Sequence, residues 1–332
     1  MIPETSPDCS AGFWERHETV EGEFIHIPVL YREVAGYLAL PVERPARLVD
    51  GTVGGGGHSA MLLERCPQLE LLGIDRDESA LEAAAQRLAF AGKRVTLVRG
   101  NYSELESRAR EHGWNEVDGV LLDIGVSSPQ LDHPERGFSW RADGPLDMRM
   151  DRRCEMTASR LLNRTPEEEL EKILREYGEV DKSRKLAAAV VSERESRPFA
   201  TTGQLVELCD RVLGRSKPGR LPAPTLVFQA LRIAVNDELG ELQRALPAAL
   251  RLLKSGGRLA VISFHSLEDR IVKNFLRDEA SNCSCPPGLP VCICGHRASV
   301  EILTRKAVTA QPDELEANRR SAPARLRAAR KI

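Results

Sequence analysis

Three apolar runs between residues 47 and 123 each end on an aspartate. Arg47-Leu48-Val49-Asp50 runs into a glycine-rich turn, Leu69 to Ile74 ends at Asp75, and Val117 to Leu122 ends at Asp123. A further run, Val95 to Val98, precedes the last of these. After Asp75, Asp77 can cap a helix whose apolar face carries Leu81, Ala84, Ala85 and Leu88 at helical spacing. This βαβα rhythm predicts an α/β, Rossmann-like fold: a doubly wound, mostly parallel sheet with helices on both faces.

The rhythm stops after Ser128-Pro129, and helices and loops are predicted to about residue 236. Thr165 reads as a helix cap, with Pro166 at the first helical position and Glu168 closing a capping box. Leu170, Ile173, Leu174 and Tyr177 follow as one apolar stripe, and Gly178 ends it. Thr201 with Gln204 repeats the capping pattern. Basic residues recur: Lys182, Arg184, Lys185, Arg194, Arg197, Arg215, Lys217 and Arg220. Near Arg232 a long helix leads back to the sheet. Gly256-Gly257 is expected to close it, and Leu259 to Phe264 reads as a buried strand. The predicted organisation is a flexible tail over 1–24, a discontinuous sheet domain over 25–130 and 237–332, and an all-helical substrate-recognition insert over 131–236.

Hydrophobic residues make up 42% and charged residues 29% of 332, enough to bury a core without metal or disulfide staples. Lys+Arg is 47 against Asp+Glu 49, so overall charge gives no nucleic-acid signal and any basic surface must be local. No run reaches the roughly 18–20 apolar residues needed to cross a bilayer. The N-terminus lacks a basic start followed by an apolar stretch. A cytoplasmic location is therefore expected, where the eight cysteines serve as thiols or metal ligands.

Gly54-Gly55-Gly56-Gly57-His58 sits between a strand and a helix, where bare backbone lets a ligand lie against peptide N–H groups. The bland alternative is a tight β–α turn. A nicotinamide loop normally reads G-x-G-x-x-G and cradles a pyrophosphate. Asp50 just before this loop disfavours a phosphate and tolerates a cation. S-adenosylmethionine, with a sulfonium, an ammonium and no phosphate, fits that rule. Asp75 is placed to accept from ribose hydroxyls, or to cap the next helix.

Asp123-Ile124-Gly125-Val126-Ser127-Ser128-Pro129-Gln130 leaves the carboxyl end of the fourth strand, where ligands bind in such sheets. Its small residues and acceptors suit a flat base. A cytosine amine is a poor nucleophile, its lone pair being delocalised into the ring. Acceptors such as the Asp123 carboxylate or the Ser127 oxygen can hold its N–H groups and aim the lone pair at a sulfonium methyl. Asp123 could equally be a cap or a second cofactor contact.

Seven motifs resemble one family. They are His26-x-Pro28-Val29-Leu30, Asp50-Gly51-Thr52 with Gly54 to His58, Leu122-Asp123-x-Gly125-Val126-Ser127-Ser128-Pro129-Gln130-Leu131-Asp132, and Glu135-Arg136-Gly137-Phe138-Ser139. The others are Gly144-Pro145-Leu146-Asp147-Met148-Arg149-Met150-Asp151, Phe228-Gln229-Ala230-Leu231-Arg232-Ile233 and Ile262-Ser263-Phe264-His265-Ser266-Leu267-Glu268-Asp269-Arg270. Together they look like the RsmH (MraW) family of bacterial small-subunit rRNA cytosine-N4 methyltransferases, over about nine tenths of the chain. The resemblance implies a class I methyltransferase fold with a helical insert after the fourth strand. It also implies methylation of N4 of a decoding-centre cytidine in 16S rRNA. By position, Gly56, Gly57, His58, Asp75, Tyr102, Asp123 and Gln130 would bind the cofactor, with Tyr102 flanking the adenine. Tyr102 could equally be core packing, His58 a first-turn helix residue, and His265 a buried hydrogen-bonded histidine. Two positions depart from the family: Leu226 stands where Arg is usual, and Asn318-Arg319-Arg320 replaces Asn-Pro-Arg.

The expected partner is 16S rRNA within the small ribosomal subunit, with no membrane and with a homodimer left open. Asp147, Arg149 and Asp151 alternate with Met148 and Met150, as a groove wall or an ion-paired structural loop. From Cys283 to the C-terminus, nine Lys/Arg face four Asp/Glu. Arg319, Arg320, Arg325, Arg327, Arg330 and Lys331 would suit phosphates; alternatively Ala324 to Ala329 is a last strand with its arginines solvated. Cys283-x-Cys285 and Cys292-x-Cys294 bracket Pro286 to Pro290, as a structural zinc knuckle or a reduced thiol cluster; C-x-C is tighter than the usual spacing. Rival readings are a non-catalytic RNA-binding assembly factor, a DNA amino-methyltransferase and an NAD-dependent dehydrogenase. The first is opposed by the intact glycine loop with Asp75. The second is opposed by the lack of an aromatic after Pro129, and the third by Asp50 and the loop spacing.

Overall fold

The computed structural model describes residues 28–214, 221–283, 285 and 293–332. The expected tail over 1–24, His26, Arg215, Lys217, Arg220 and Cys292 lie outside the described residues.

Seven strands form one sheet: β1 (Ala46–Asp50), β2 (Leu69–Asp75), β3 (Val95–Arg99), β4 (Val117–Asp123), β5 (Leu253–Ser263), β6 (Val300–Ile302) and β7 (Arg325–Lys331). Their order is β3-β2-β1-β4-β5-β7-β6. β1 to β5 are mutually parallel, while β7 runs antiparallel between β5 and β6. Strand order reverses between β1 and β4, and the crevice at their carboxyl ends is where such sheets bind ligands.

Successive side chains on a strand point to opposite faces. Val49, Leu72, Val120 and Val261 therefore join one core, against α4 (Leu105–Glu111), α11 (Glu238–Leu252) and α12 (Ser266–Glu279). Leu48, Leu71, Leu121 and Ile262 join the other, against α1 (Tyr31–Leu38), α2 (Gly57–Arg65) and α3 (Glu78–Arg87). Coverage of both faces explains why β4 reads as a nearly unbroken apolar run. The architecture is that of a class I methyltransferase.

Between β4 and β5 lie α5 (Ser128–Asp132), α6 (Ala158–Arg164), α7 (Glu167–Gly178), α8 (Ser183–Arg194), α9 (Thr202–Leu213) and α10 (Ala223–Asn236); α13 (Pro312–Ala317) precedes β7. α6 to α10 build a third core around Phe199, Leu170, Leu205 and Phe228. Among the described residues of this stretch the only β pairing is an isolated bridge between Pro145 and Thr201.

Several local expectations are corrected. Thr165 does not cap α7: its own N–H bonds to the Leu161 carbonyl at 3.0 Å, so it closes α6. The N-terminus of α7 is supported instead by Glu167, Glu168 and Glu169 beside the helix dipole. The Thr201–Gln204 box does form. The single long helix near Arg232 is two helices, α10 and α11, broken where Asp237 turns left-handed (φ 48°). Gly256 and Gly257 do not end that helix. They lie inside β5, where the register jumps from Val117–Leu253 to Gly119–Arg258 and three extra residues bulge out.

The run from Asp147 to Asp151 is the ion-paired loop rather than an open wall. Arg149 grips Asp147 at 2.7 and 2.8 Å, and Asp151 pairs with Arg99 and Arg153. Met148 is fully buried, and Asn236 holds its carbonyl at 2.8 Å.

The arginines of β7 are not all solvated either. Arg327 is 8% exposed and forms a two-bond pair with Asp269 of α12, at 2.6 and 3.1 Å. Arg330 pairs with Glu301 and Arg320 with Asp132. Among the described residues, no helix is long and apolar enough to cross a membrane.

Candidate active site

The carboxyl ends of β1, β2, β4 and β5 bring Asp50, Asp75, Asp123 and His265 to one edge, with the glycine loop over them. The loop is shaped from below. Asp50 is 1% exposed and accepts from the Thr52 N–H at 3.1 Å and the Ser59 hydroxyl at 2.6 Å. It sets the turn instead of facing a ligand, which replaces the expectation of a direct cationic neighbour. Burial raises its carboxyl pKa to about 6.

Gly54 (φ 51°) and Gly56 (φ 79°) take left-handed backbone that L side chains rarely adopt. Around Gly55, among the described residues, nothing lies within van der Waals reach of a Cβ except Ala83, at 4.0 Å. The first amides of α2 have no intrahelical acceptor and point into the same space. Gly56→Ala should cost about 1–2 kcal/mol from handedness alone. Its Cβ would also press Leu88 at 3.2 Å. A denaturation series and a cofactor titration on that variant should show both stability and affinity reduced.

His58 (7% exposed) is anchored by Nε2 to the Val29 carbonyl at 2.8 Å. A carbonyl only accepts, so Nε2 carries the proton and Nδ1 presents a lone pair. That Nδ1 lies 3.5 Å from Oδ2 of Asp123. Burial holds the imidazole pKa below its ordinary value, so the ring stays neutral.

Asp123 is the conspicuous group of the edge. Its backbone N–H is fixed by the Thr52 hydroxyl at 2.6 Å. Its Oδ1 is buried and has no hydrogen-bond partner among the described residues. Burial, with the Glu268 charge behind it, raises its carboxyl pKa to about 7. An acceptor left unsatisfied at a ligand edge is an expensive feature unless something arrives to use it.

The other expected residues are placed unevenly. Asp75 accepts the Gly54 and Asp77 amides at 2.9 Å each, which ties the loop to β2 and leaves each oxygen a second lone pair. Gln130 is 5% exposed and engaged at both ends, to the Ser127 N–H at 3.2 Å and to Asp77 at 2.9 Å. Ser127 is the N-cap of α5 and shares a capping box with Gln130. Tyr102 is 5% exposed, with its hydroxyl on the Glu238 carbonyl at 3.0 Å. Arg76 lies 5.9 Å from its ring centroid.

Sequence reasoning missed the polar floor behind Asp123. Glu268 is fully buried and caps α12, its Oε2 accepting the Phe264 and His265 amides. His265 sits at the N-cap with Nε2 3.1 Å from the other Glu268 oxygen. Arg232 forms a two-bond pair with Glu238 at 2.9 and 3.0 Å. Asp77, read only as a helix cap, is also held by Arg136 at 2.8 Å, which fastens the segment after β4 to β2. The available signal was the H-x-x-E spacing of a capping box directly after an apolar strand.

Comparison with known proteins gives a consistent result. Residues 23–332 match the model of a family described as the MraW methylase family. A Heliobacterium modesticaldum protein named ribosomal RNA small subunit methyltransferase H is 50% identical over 314 residues, covering 93% of this chain and 99% of its own. A Symbiobacterium thermophilum protein of the same name is 52% identical over 312 residues, covering 93% and 97%. Among solved structures, an rRNA methylase from Streptococcus thermophilus aligns at 12% identity and a TM-score of 0.42, over 92% and 99% of the two chains.

Proposed function

The chain belongs to the MraW methylase family, and we propose that it transfers a methyl group from S-adenosylmethionine to the exocyclic N4 of a decoding-centre cytidine in 16S rRNA of the small ribosomal subunit. One observation carries this reading: the buried, unpartnered Oδ1 of Asp123 at the sheet edge, beside the bare glycine loop. The residues present fit the methyl donor. The loop offers amides without side chains, Asp75 offers spare lone pairs for ribose hydroxyls, and Asp123 offers an anion to a sulfonium. When bound, S-adenosylmethionine supplies an electrophilic methyl whose departure leaves a neutral thioether.

The chain's own groups then have separate tasks. The Asp123 carboxylate accepts an N–H of the target amine and orients its lone pair. The N–CH₃ bond forms as the S–CH₃ bond breaks, and the amine must shed one proton. Asp123 can take that proton, with the His58 Nδ1 lone pair behind it. Ser127 is close in sequence to serve as a second acceptor, in competition with its capping role. The helices α6 to α10 are proposed to recognise the RNA, whose target base must be unstacked to reach the edge. The Arg and Lys of the C-terminal segment that have no acidic partner among the described residues would supply phosphate contacts.

Because Asp123 carries a charge and can take a proton only as carboxylate, its raised pKa predicts a pH dependence. In the free enzyme kcat/KM should rise with pH through about 7. The limb should move to lower pH in kcat, because a bound cation favours the charged form. A profile flat across that range would remove Asp123 as the titrating acceptor. The activity itself is tested by offering labelled methyl donor and undermethylated small subunits to the protein, followed by nucleoside analysis. N4-methylcytidine is expected; label on a ring carbon or on another base would overturn the assignment.

A further inference from the structure

Between α12 and β6 the described residues are 280–283, 285 and 293–299. At the base of this connection the Ala298 N–H donates to the Asn282 side chain at 3.2 Å, the Ser299 N–H to the Glu279 carbonyl at 2.8 Å and the Ser299 hydroxyl to the Glu279 carboxylate at 2.5 Å, while His296 Nε2 lies 3.2 Å from the Asp278 carbonyl. Among these described residues Ile293 is 81% exposed. Three sulfurs converge. The Sγ atoms of Cys283, Cys285 and Cys294 all lie within 4.8 Å of one another, with Cys283 and Cys294 3.9 Å apart, too far for a disulfide.

The backbone around them is arranged for thiolates. The Cys285 N–H donates to Cys283 Sγ at 3.4 Å, and the His296 N–H donates to Cys294 Sγ at 3.5 Å. Each bond runs from residue i+2 back to the sulfur of residue i, once within Cys283-x-Cys285 and once within Cys294-x-His296. The Ile293 N–H donates to Cys285 Sγ at 3.5 Å and crosses between the arms. A neutral thiol is a weak acceptor; three amides turned on three sulfurs are the surroundings that partner metal-bound thiolates.

We propose that Cys283, Cys285 and Cys294 are ligands of a structural zinc ion that locks the α12–β6 connection. Soft, clustered thiolates with tetrahedral spacing select zinc, with the thiol protons released on binding. The fourth position belongs to a further ligand. The ion stands at the far end of α12 from His265 and Glu268, so it takes no part in methyl transfer.

The test uses the full chain. Metal analysis of protein purified without chelator should find about one zinc per chain. Cobalt substituted for it should give the visible absorption of a tetrahedral site and the near-ultraviolet band of sulfur-to-cobalt charge transfer. Cys283→Ser and Cys294→Ser should each lose most of the metal, while Cys154→Ser, elsewhere on the surface, should keep it. The cobalt spectrum is read on wild-type protein, so it stands even if a variant misfolds. Zinc well below stoichiometry, iron in its place, no charge-transfer band, or a Cys283→Ser variant that still binds zinc as tightly would overturn the proposal.

Discussion

Asp123→Asn lowers methyl transfer by about a thousand-fold, within the range a positioned proton acceptor contributes, while leaving the protein folded. The amide keeps the size of the carboxylate and the anchoring N–H, which the Thr52 hydroxyl holds at 2.6 Å. It loses the negative charge facing the sulfonium and the capacity to take a proton. Because the interaction strengthens as the reaction proceeds, the loss should fall on kcat more than on KM for the methyl donor.

The same substitution should stabilise the ligand-free protein. Asp123 has an ordinary carboxyl pKa unfolded and about 7 folded. A raised folded value means that the folded state holds the proton more tightly. That contribution is complete below the unfolded pKa and disappears as pH rises through about 7. At pH 8 the folded chain therefore carries a poorly solvated anion. The side chain is 26% exposed, so solvent screening reduces the penalty to about 1–2 kcal/mol. Asparagine removes it and can donate to the His58 Nδ1 lone pair. The paired expectation is lost activity with a melting temperature raised at pH 8 and unchanged near pH 4. A variant that melts earlier at pH 8, or retains activity near wild type, would assign Asp123 to structure alone.

Whether these groups could be read in the sequence depended on whether a local rule governs them. The strand ends at Asp50, Asp75 and Asp123 were legible because apolar runs and glycines are local signals, and the mostly parallel pairing followed from the βαβα alternation. The capping box at Thr201 was legible for the same reason. Thr165 misled because the sequence offers one residue to two helices, and the carbonyl of Leu161 claimed it first. Asp50 was assigned its place correctly and its direction wrongly: only the fold shows Ser59 turning back to take its carboxylate. The floor of Glu268, His265, Glu238 and Arg232 joins residues from three separate elements, and beyond the His265–Glu268 capping box no spacing in the chain encodes their meeting. Arg327 belongs to the same class. On an isolated strand it reads as a surface arginine; only the packing of α12 over β7 makes it internal.

That packing carries the second large effect. Arg327→Ala should destabilise the protein by about 3–5 kcal/mol, because it strands the Asp269 carboxylate without its two-bond partner. At roughly 2 °C per kcal/mol for a chain this long, the melting temperature should fall by about 6–10 °C. Arg325 lies 3.6 Å from Asp269 but is half exposed, so it screens the stranded charge only in part. The cost comes from separating the pair and not from the worth of the pair itself. Asp269→Leu combined with Arg327→Met should therefore recover most of the loss, since apolar replacement of a buried ion pair is often close to neutral. The resulting cycle should show strong coupling between the two positions. Asp269 sits in the first turn of α12, one residue after Glu268, so the single variant should also loosen the floor behind Asp123 and lower activity below the melting range. A single variant within about 0.5 kcal/mol of wild type, the range of an ordinary surface change, would show that this arginine is dispensable to the fold.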